Sequence, residues 1–354
     1  MVDAVDVACH GSMLHRPPAP APQLPLLRRY PTSTYTGLVD SVTLDVLDLR
    51  LLHALQLDGR AAFSKIADVL GVTDRTVARR FGRLRTTRVA RVVGVTNSHR
   101  TGHAEWMVRL RVLPPGIAPL ARALARRPDT AWVTVASSGT EIVCVFRVTE
   151  EGPAPLSALG RLPQVTQVEA QRLLRPVMDH RWIGRTSALT DEQIATLRPA
   201  ATADTAPVPL TDLDRRLLPA LAADGRAAYP DLARQVGWSE SAVRRRLDEL
   251  RRSGVLQFDV EVDSGLFGFS VQCLLWLTVT PARISSIART LAGDPEAAFV
   301  GSTTGPHNLV AIAVCRDADA LHTYLADRIG SLDGVDRMET VLITAYIKRA
   351  APAL

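Results

Sequence analysis

The chain has 354 residues, 47% of them hydrophobic and 22% charged, with 42 basic against 36 acidic side chains and a formal charge of +6. That is more chain than one ordinary core holds and points to roughly two to four globular domains, while no apolar run approaches the ~18 residues of a membrane span. The excess charge is almost all arginine and admits a polyanionic partner; the scattered Cys9, Cys144, Cys273 and Cys315 lack C-x-x-C spacing, which argues against a disulfide framework or zinc site and fits a reducing cytoplasm.

In chain order, residues 1–40 are proline-rich without a signal-peptide core and read as a disordered tail. Over 41–98, Leu44, Leu47, Leu51 and Leu55 fall at helical spacing. Asp58-Gly59 ends that helix, with glycine expected to take the left-handed conformation of a helix stop. Ser64 is placed to cap a short second helix burying Ile66, Val69 and Leu70, and Gly71 supplies a tight turn. A third helix then carries Val77, Phe81 and Leu84 inward and Arg75, Arg79, Arg80 and Arg83 outward. This is the helix-turn-helix pattern, whose second helix enters the DNA major groove. Residues 89–95 read as an extended wing.

Residues 99–178 alternate as a strand at 106–112, a helix at 117–126, a hairpin of 131–136 and 141–147 around Ser138-Gly139, a short helix near 155–160 and a strand at 165–173. The order βαββαβ is ferredoxin-like. Residues 179–209 end in "PAATADTAPVP" and read as a flexible linker. The grammar then repeats: a helix-turn-helix over 210–263, with Val243, Leu247 and Leu250 inward and Arg244, Arg245, Arg246, Arg251 and Arg252 outward, followed by a second ferredoxin-like pattern over 264–349. In the second wing, Leu256, Phe258, Val260 and Val262 alternate with Gln257, Asp259 and Glu261.

The pentapeptide "DGRAA" stands at 58–62 and again at 224–228, 166 residues later. Its flanks align without a gap: Leu44, Leu47, Asp48, Leu51 and Leu55 match Leu210, Leu213, Asp214, Leu217 and Leu221, and Gly71, Val77, Arg79, Arg80 and Leu84 match Gly237, Val243, Arg245, Arg246 and Leu250. The period is that of a whole module, too long for a solenoid repeat. The expected fold is α+β: two winged helix-turn-helix domains alternating with two ferredoxin-like domains.

The segments "LDLRLLHALQLDGRAAFSKIADVLGVTDRTVARRFGRLR", "LTDLDRRLLPALAADGRAAYPDLARQVGWSESAVRRRLDELRRSGVL" and "VDSGLFGFSVQCLLWLTV" resemble the Lrp/AsnC (feast/famine) transcription regulators, in a tandem-duplicated form. The likeness covers about residues 44–178 and 210–349. It implies a cytoplasmic regulator that binds double-stranded DNA and whose ferredoxin-like domains self-associate and bind a small effector, often an amino acid. Both copies lie in one chain, which suggests a pseudo-dimer, although each half could instead pair with another chain.

The expected DNA contacts are Arg75, Thr76, Arg79, Arg80 and Arg83 in the first copy and Ser239, Ser241, Arg244, Arg245 and Arg246 in the second. Residues 74–88 hold six Arg against one Asp, whereas 239–252 hold five against three acids. The first copy should therefore hold phosphate harder. The resemblance places the effector at the hairpin loops: Ser137, Ser138 and Gly139, and Thr303, Thr304, Gly305, His307 and Asn308. The family's loop reads Gly-x-x-Asp; here Asn308 stands at the acid's place, and Glu141 is the nearest acid in the first copy. Ordinary hairpin turns and a DNA-architectural protein without effector stay open on these residues.

No Ser/His/Asp set, Walker loop or Rossmann glycine pattern is present, and no cofactor is expected. His99 and His103 have metal-ligand spacing only on a helix, whereas "NSHRTGHAEW" reads as a loop entering a strand. A second resemblance is to siroheme decarboxylases, which also carry helix-turn-helix segments and occur as fused pairs. They would use His and Arg side chains such as those in "RVARVVGVTNSHRTGH". A tetrapyrrole enzyme has no need of two outward arginine faces.

Overall fold

In the computed structural model, which describes residues 43–149, 156–178, 188–199 and 208–349, α1 (Val46–Leu57) starts from a reciprocal cap. Asp45 accepts from the Asp48 backbone N–H at 2.9 Å and Asp48 accepts from that of Asp45 at 3.2 Å. Helix α2 (Phe63–Leu70) stops at Gly71, where φ is +68°, and α3 (Asp74–Thr86) is capped by Thr73. Strand β1 (Ala90–Thr96) follows. Every bound then recurs 166 residues on: α7 (Asp212–Ala223), α8 (Tyr229–Val236), α9 (Glu240–Arg252) and β6 (Leu256–Val262).

The two helical units share one apolar core. Leu51, Leu55, Ile66, Val77 and Leu84 of the first pack in the same cluster as Leu217, Leu221, Leu232, Val243 and Leu247 of the second. The predicted wings are not separate: β1 and β6 pair with each other, antiparallel, from Ala90↔Val262 to Thr96↔Leu256, centred on Val93↔Asp259. A lone extended strand leaves its ladder groups unpaired, and the duplicated copy supplies the partner.

The repeated "DGRAA" is the clasp between the units. The Arg60 guanidinium donates to the carbonyls of Gly225 and Ala227 at 2.8 and 3.2 Å. Arg226 returns the contact to Gly59 and Ala61 at 2.6 and 3.0 Å. Arg226 lies over the Phe63 ring at 4.2 Å, and Arg60 over that of Tyr229 at 4.9 Å. The expected reason for Gly59 is corrected: Asp58, not Gly59, caps α1, and Gly59 is not among the left-handed glycines. A β-carbon at Gly59 would lie 2.8 Å from Phe258 and 2.9 Å from Val92, so glycine is needed for close approach to the ribbon.

The expected linker is corrected in part. Within 179–209, α6 (Asp191–Leu197) docks on the first helical unit, with Leu197 wholly buried. His53 accepts from the backbone of Ala188 and Leu189, and Gln193 donates to the Val69 carbonyl at 2.9 Å. Most of the "PAATADTAPVP" stretch, and the tail at 1–40, fall outside the described residues.

The remaining elements of the first half are β2 (His103–Val112), α4 (Pro114–Arg126), β3 (Thr130–Ala136), β4 (Glu141–Thr149), α5 (Leu156–Leu159) and β5 (Val165–Pro176). Those of the second are β7 (Val271–Val279), α10 (Ile284–Ala292), β8 (Ala297–Thr303), β9 (Leu309–Cys315), α11 (Ala318–Thr323) and β10 (Val335–Tyr346). The eight strands close into one barrel in the order β10-β3-β4-β2-β5-β8-β9-β7. Its two seams, β5 with β8 and β10 with β3, join the halves. Alternate residues therefore face the helices outside or a separate cluster inside the barrel, which includes Met107, Leu274, Trp276 and Val310.

Candidate nucleic-acid interface and effector loops

Helices α3 and α9 sit on the shared core through Val77, Phe81 and Leu84 and through Val243, Leu247 and Leu250, all buried. Arg75, Arg79, Arg244 and Arg245 are exposed. Thr76 and Ser241 lie at the helix starts, their hydroxyls 2.9 and 3.2 Å from the capping hydroxyls of Thr73 and Ser239. Arg244 pairs with Glu240 at 2.7 Å and rests on the Tyr229 ring at 4.1 Å.

The outward placement of Arg80 and Arg246 is corrected. Arg80 turns back to Asp45 at 2.6 Å and Asp48 at 3.0 Å. Arg246 holds Asp214 at 2.6 Å, Glu249 at 2.8 Å and the Pro209 carbonyl at 2.7 Å. Arg83 also ends on Asp48, though its side chain stays 46% exposed. Asp48 and Asp214 are wholly buried, so each has to be compensated within the fold. Burial would raise the Asp214 carboxyl, but hydrogen bonds from Arg246 and Thr211 outweigh it and hold the group below its usual range. Arg80 and Arg246 fasten α3 to α1 and α9 to α7.

What remains outward differs between copies. Arg75, Arg79, Arg85 and Arg88 are exposed on or just past α3, Arg85 lying 3.5 Å from Asp224. On α9, Arg244 is matched by Glu240, leaving Arg245 and Arg252, the latter turned to the Asp248 carbonyl.

The two hairpin loops are unlike each other. In the first, Ser137 and Ser138 adopt φ of 50° and 55° and Gly139 of 87°, a left-handed turn. It borders an open cleft shared with Arg109, Arg111, Glu141 and Glu339. Arg109 is buried and bonded to both Glu141 and Glu339, the latter at 2.5 Å. Burial would lower this guanidinium, but the two carboxylates hold it well above its usual value. Glu141 is therefore already spoken for as a partner of an ammonium.

The second loop is consumed by the seam. Asn308 accepts from the Val279 N–H at 2.9 Å and donates to its carbonyl at 2.6 Å. Thr303 donates to the His307 carbonyl, and Thr304 accepts from the Arg172 N–H at 2.9 Å. A β-carbon on Gly305 would meet Gln171 at 3.2 Å, and His307 is buried with Nε2 3.5 Å from Glu339. The loop that matches the family pattern better is thus the one with less room. His99 and His103 do not share a helix: the first lies in a 3₁₀ turn and the second opens β2.

Sequence reasoning did not assign Asp48, Asp214, Arg60, Arg226 or Arg109. The readable sign was an acid at the same inward position of both first helices and an arginine retained in both pentapeptides.

Comparison with known proteins agrees with this geometry. An AsnC-type helix-turn-helix model matches residues 44–85 and 210–251, and an Lrp/AsnC ligand-binding-domain model matches 272–352. The chain is 31% identical over 137 residues to the HTH-type transcriptional regulator FL11 of Pyrococcus horikoshii, covering 38% of this chain and 90% of that protein. It is 27% identical over 140 residues to the HTH-type transcriptional regulator Ptr1 of Methanocaldococcus jannaschii, covering 39% and 95%. Among solved structures, the siroheme decarboxylase NirDL with an iron-uroporphyrin III analogue superposes with TM-score 0.58 at 15% identity, over 86% of this chain and 93% of that one. That likeness is one of fold. With two AsnC-type heads, a matched ligand-binding domain and a relative of this identity over nearly its whole length, the chain belongs to the Lrp/AsnC family of helix-turn-helix transcriptional regulators.

Proposed function

We propose that the chain is a sequence-specific DNA-binding regulator built as an internal pseudo-dimer of two modules, each a helix-turn-helix followed by a ferredoxin-like domain, with heads at 41–98 and 210–263 and ferredoxin-like domains at 99–178 and 264–349. Helices α3 and α9 enter successive major grooves. Arg75, Arg79, Arg83, Arg244 and Arg245 contact phosphates and base edges, and Thr76, Ser239 and Ser241 contact phosphates at the helix starts. Arg80 and Arg246 contribute by fixing the helices. The observation that carries this reading is the pair of arginine-bearing helices on one shared core. Because their exposed charge differs, the operator is an imperfect palindrome, its stronger half under α3. A small effector such as an amino acid enters the cleft beside Ser137, Ser138 and Gly139. Such a regulator works in the cytoplasm, where its DNA is.

Selection of genomic fragments by the purified chain, then titration at several salt concentrations, tests the reading. Two related half-sites should emerge. Arg79→Ala and Arg245→Ala should each weaken binding and lower the salt slope by about 1 for each phosphate contact removed. No enrichment and no effect of either substitution would refute it.

The whole-chain likeness to a tetrapyrrole enzyme supports a second reading. The cavity inside the barrel is about 150 Å³, half the low end of the ~300–1,000 Å³ of drug-sized ligand pockets, so on that reading a tetrapyrrole would lie in an open cleft and not within the barrel. Titration with siroheme, followed in its Soret band, decides between them.

A further inference from the structure

The barrel encloses a cavity of about 150 Å³. Its wall is formed by Met107, Val145, Leu173, Leu274, Phe299 and Ile312, and its roof by Asp259, Val260, Glu261 and Val262 of β6. Trp132 completes the wall from an unusual backbone: its φ is +50°, at a point where the pairing of β3 with β4 shifts register between Ala131 and Thr134. A bulky residue rarely adopts that conformation. It is held here by a hydrogen bond from its N–H to the Arg349 carbonyl at 3.1 Å and by an edge contact of its ring with Tyr346. Backbone strain of this kind clusters at ligand clamps and switch regions.

Most of the polar groups at the roof end are already matched. Arg147 holds Glu105 at 3.0 Å, and Glu105 also accepts from Ser98 at 2.6 Å. The Tyr346 hydroxyl donates to Gln272 at 2.9 Å, Gln272 donates to Ser264 at 2.7 Å, and Arg349 donates to the Val262 carbonyl at 2.9 Å. Asp259 accepts only from the Val260 N–H, at 2.7 Å, and forms no ion pair among the described residues, so the roof offers one carboxylate and no cation for an anion. We infer that the barrel interior is a binding site for a small, largely apolar molecule that carries no negative charge, with one aromatic ring or a branched hydrocarbon of like size; a cavity of about 150 Å³ walled by aliphatic and aromatic side chains accepts benzene.

The roof gives this site a route to the DNA heads. Strand β6 starts four residues after the end of α9 and pairs along its length with β1, which follows α3 in the same way. An occupant that prefers one position of the ribbon biases both recognition helices together. This consequence rests on the regulator reading above; the site itself does not.

The test is calorimetry and thermal unfolding of the full chain with benzene and indole, with L-phenylalanine as a charged comparator. One benzene or indole should bind per chain and raise Tm by about 1–3 °C near saturation. Val145→Phe, which fills the cavity, should weaken binding at least tenfold. Should that variant fail to fold, Ala298→Leu at the edge of the cavity carries the same expectation. Binding of neither probe, or binding that survives both substitutions, overturns the site; tighter binding of phenylalanine that both substitutions abolish overturns the ligand class. DNA titration with and without benzene then reads the coupling. A bound probe that leaves DNA affinity unchanged overturns the coupling, while failure to bind DNA at all strikes the regulator reading and leaves the calorimetric result standing.

Discussion

Replacing Arg226 by alanine removes half of the clasp between the helical units. The side chain makes two charge-assisted hydrogen bonds to backbone carbonyls, at 2.6 and 3.0 Å, and stacks on Phe63 at 4.2 Å. At about 1.5 kcal/mol for each bond and about 1 for the stacked cation, the contacts total about 4 kcal/mol. Burial of the guanidinium, with the nearby charge of Arg60, pulls its pKa down to about 10 and offsets part of that. A net loss of about 2–4 kcal/mol is expected, read by urea unfolding of the full chain. The double substitution Arg60→Ala and Arg226→Ala should cost more than the two singles combined, because either single deletion already relieves the whole repulsion between the two cations and the second deletion has none left to relieve. Arg226→Lys should recover only part of the loss, since an ammonium cannot fork across two carbonyls. A single-mutant loss under about 0.5 kcal/mol, the ordinary range of surface changes, would refute the clasp.

Three further outcomes follow from the same contacts. Arg246→Ala should destabilise the fold by about 3–5 kcal/mol by stranding the buried Asp214 carboxylate, whose ion-pair partner among the described residues is Arg246, whereas Arg79→Ala should leave the urea midpoint unchanged and lower DNA affinity. Asp214, held below the ordinary carboxyl value of 3.8, should contribute stability that is intact above that pH and lost as pH falls through the folded pKa; acid titration of the Asp214→Asn variant should lack that share of the loss. Burial pushes the Cys144 thiol up to about 12 and those of Cys273 and Cys315 to about 11, so none of the three should react with a thiol reagent at pH 8 until the chain unfolds.

The helical units were legible in the sequence because their signals are local: leucines at helical spacing and the turn glycines Gly71 and Gly237, although the cap expected at Ser64 is absent, Ala62 holding the N-cap position of α2 without a side-chain bond. The repeat of 166 residues carried each bound of one unit onto the other. Strand closure was not legible, since β5 with β8 and β10 with β3 are pairings between halves that no local pattern specifies. The arginine faces were misread in one respect. A helical wheel puts Arg80 and Arg246 outside, but long side chains fold back when a buried carboxylate lies within reach. Short α6 escaped notice because its apolar signal reduces to Leu189, Ile194 and Leu197 in a polar stretch. Which hairpin loop has room for a ligand depended on the seam, and so on the tertiary fold.

The centre of the β1–β6 ribbon has a consequence for how chains assemble. In a true homodimer, a residue on the two-fold axis has to face its own copy; here the axis passes between Val93 and Asp259. Covalent fusion lets the two sides of that position evolve apart, and one of them has become acidic. Were the second halves of two chains to pair with each other, Asp259 would stand directly opposite Asp259, nearly buried, and the like charges would repel. Pairing of unlike halves avoids this whether it occurs within one chain or between two. A single carboxylate thus marks which half is which, and any strand exchange between molecules is steered back to the arrangement found within one.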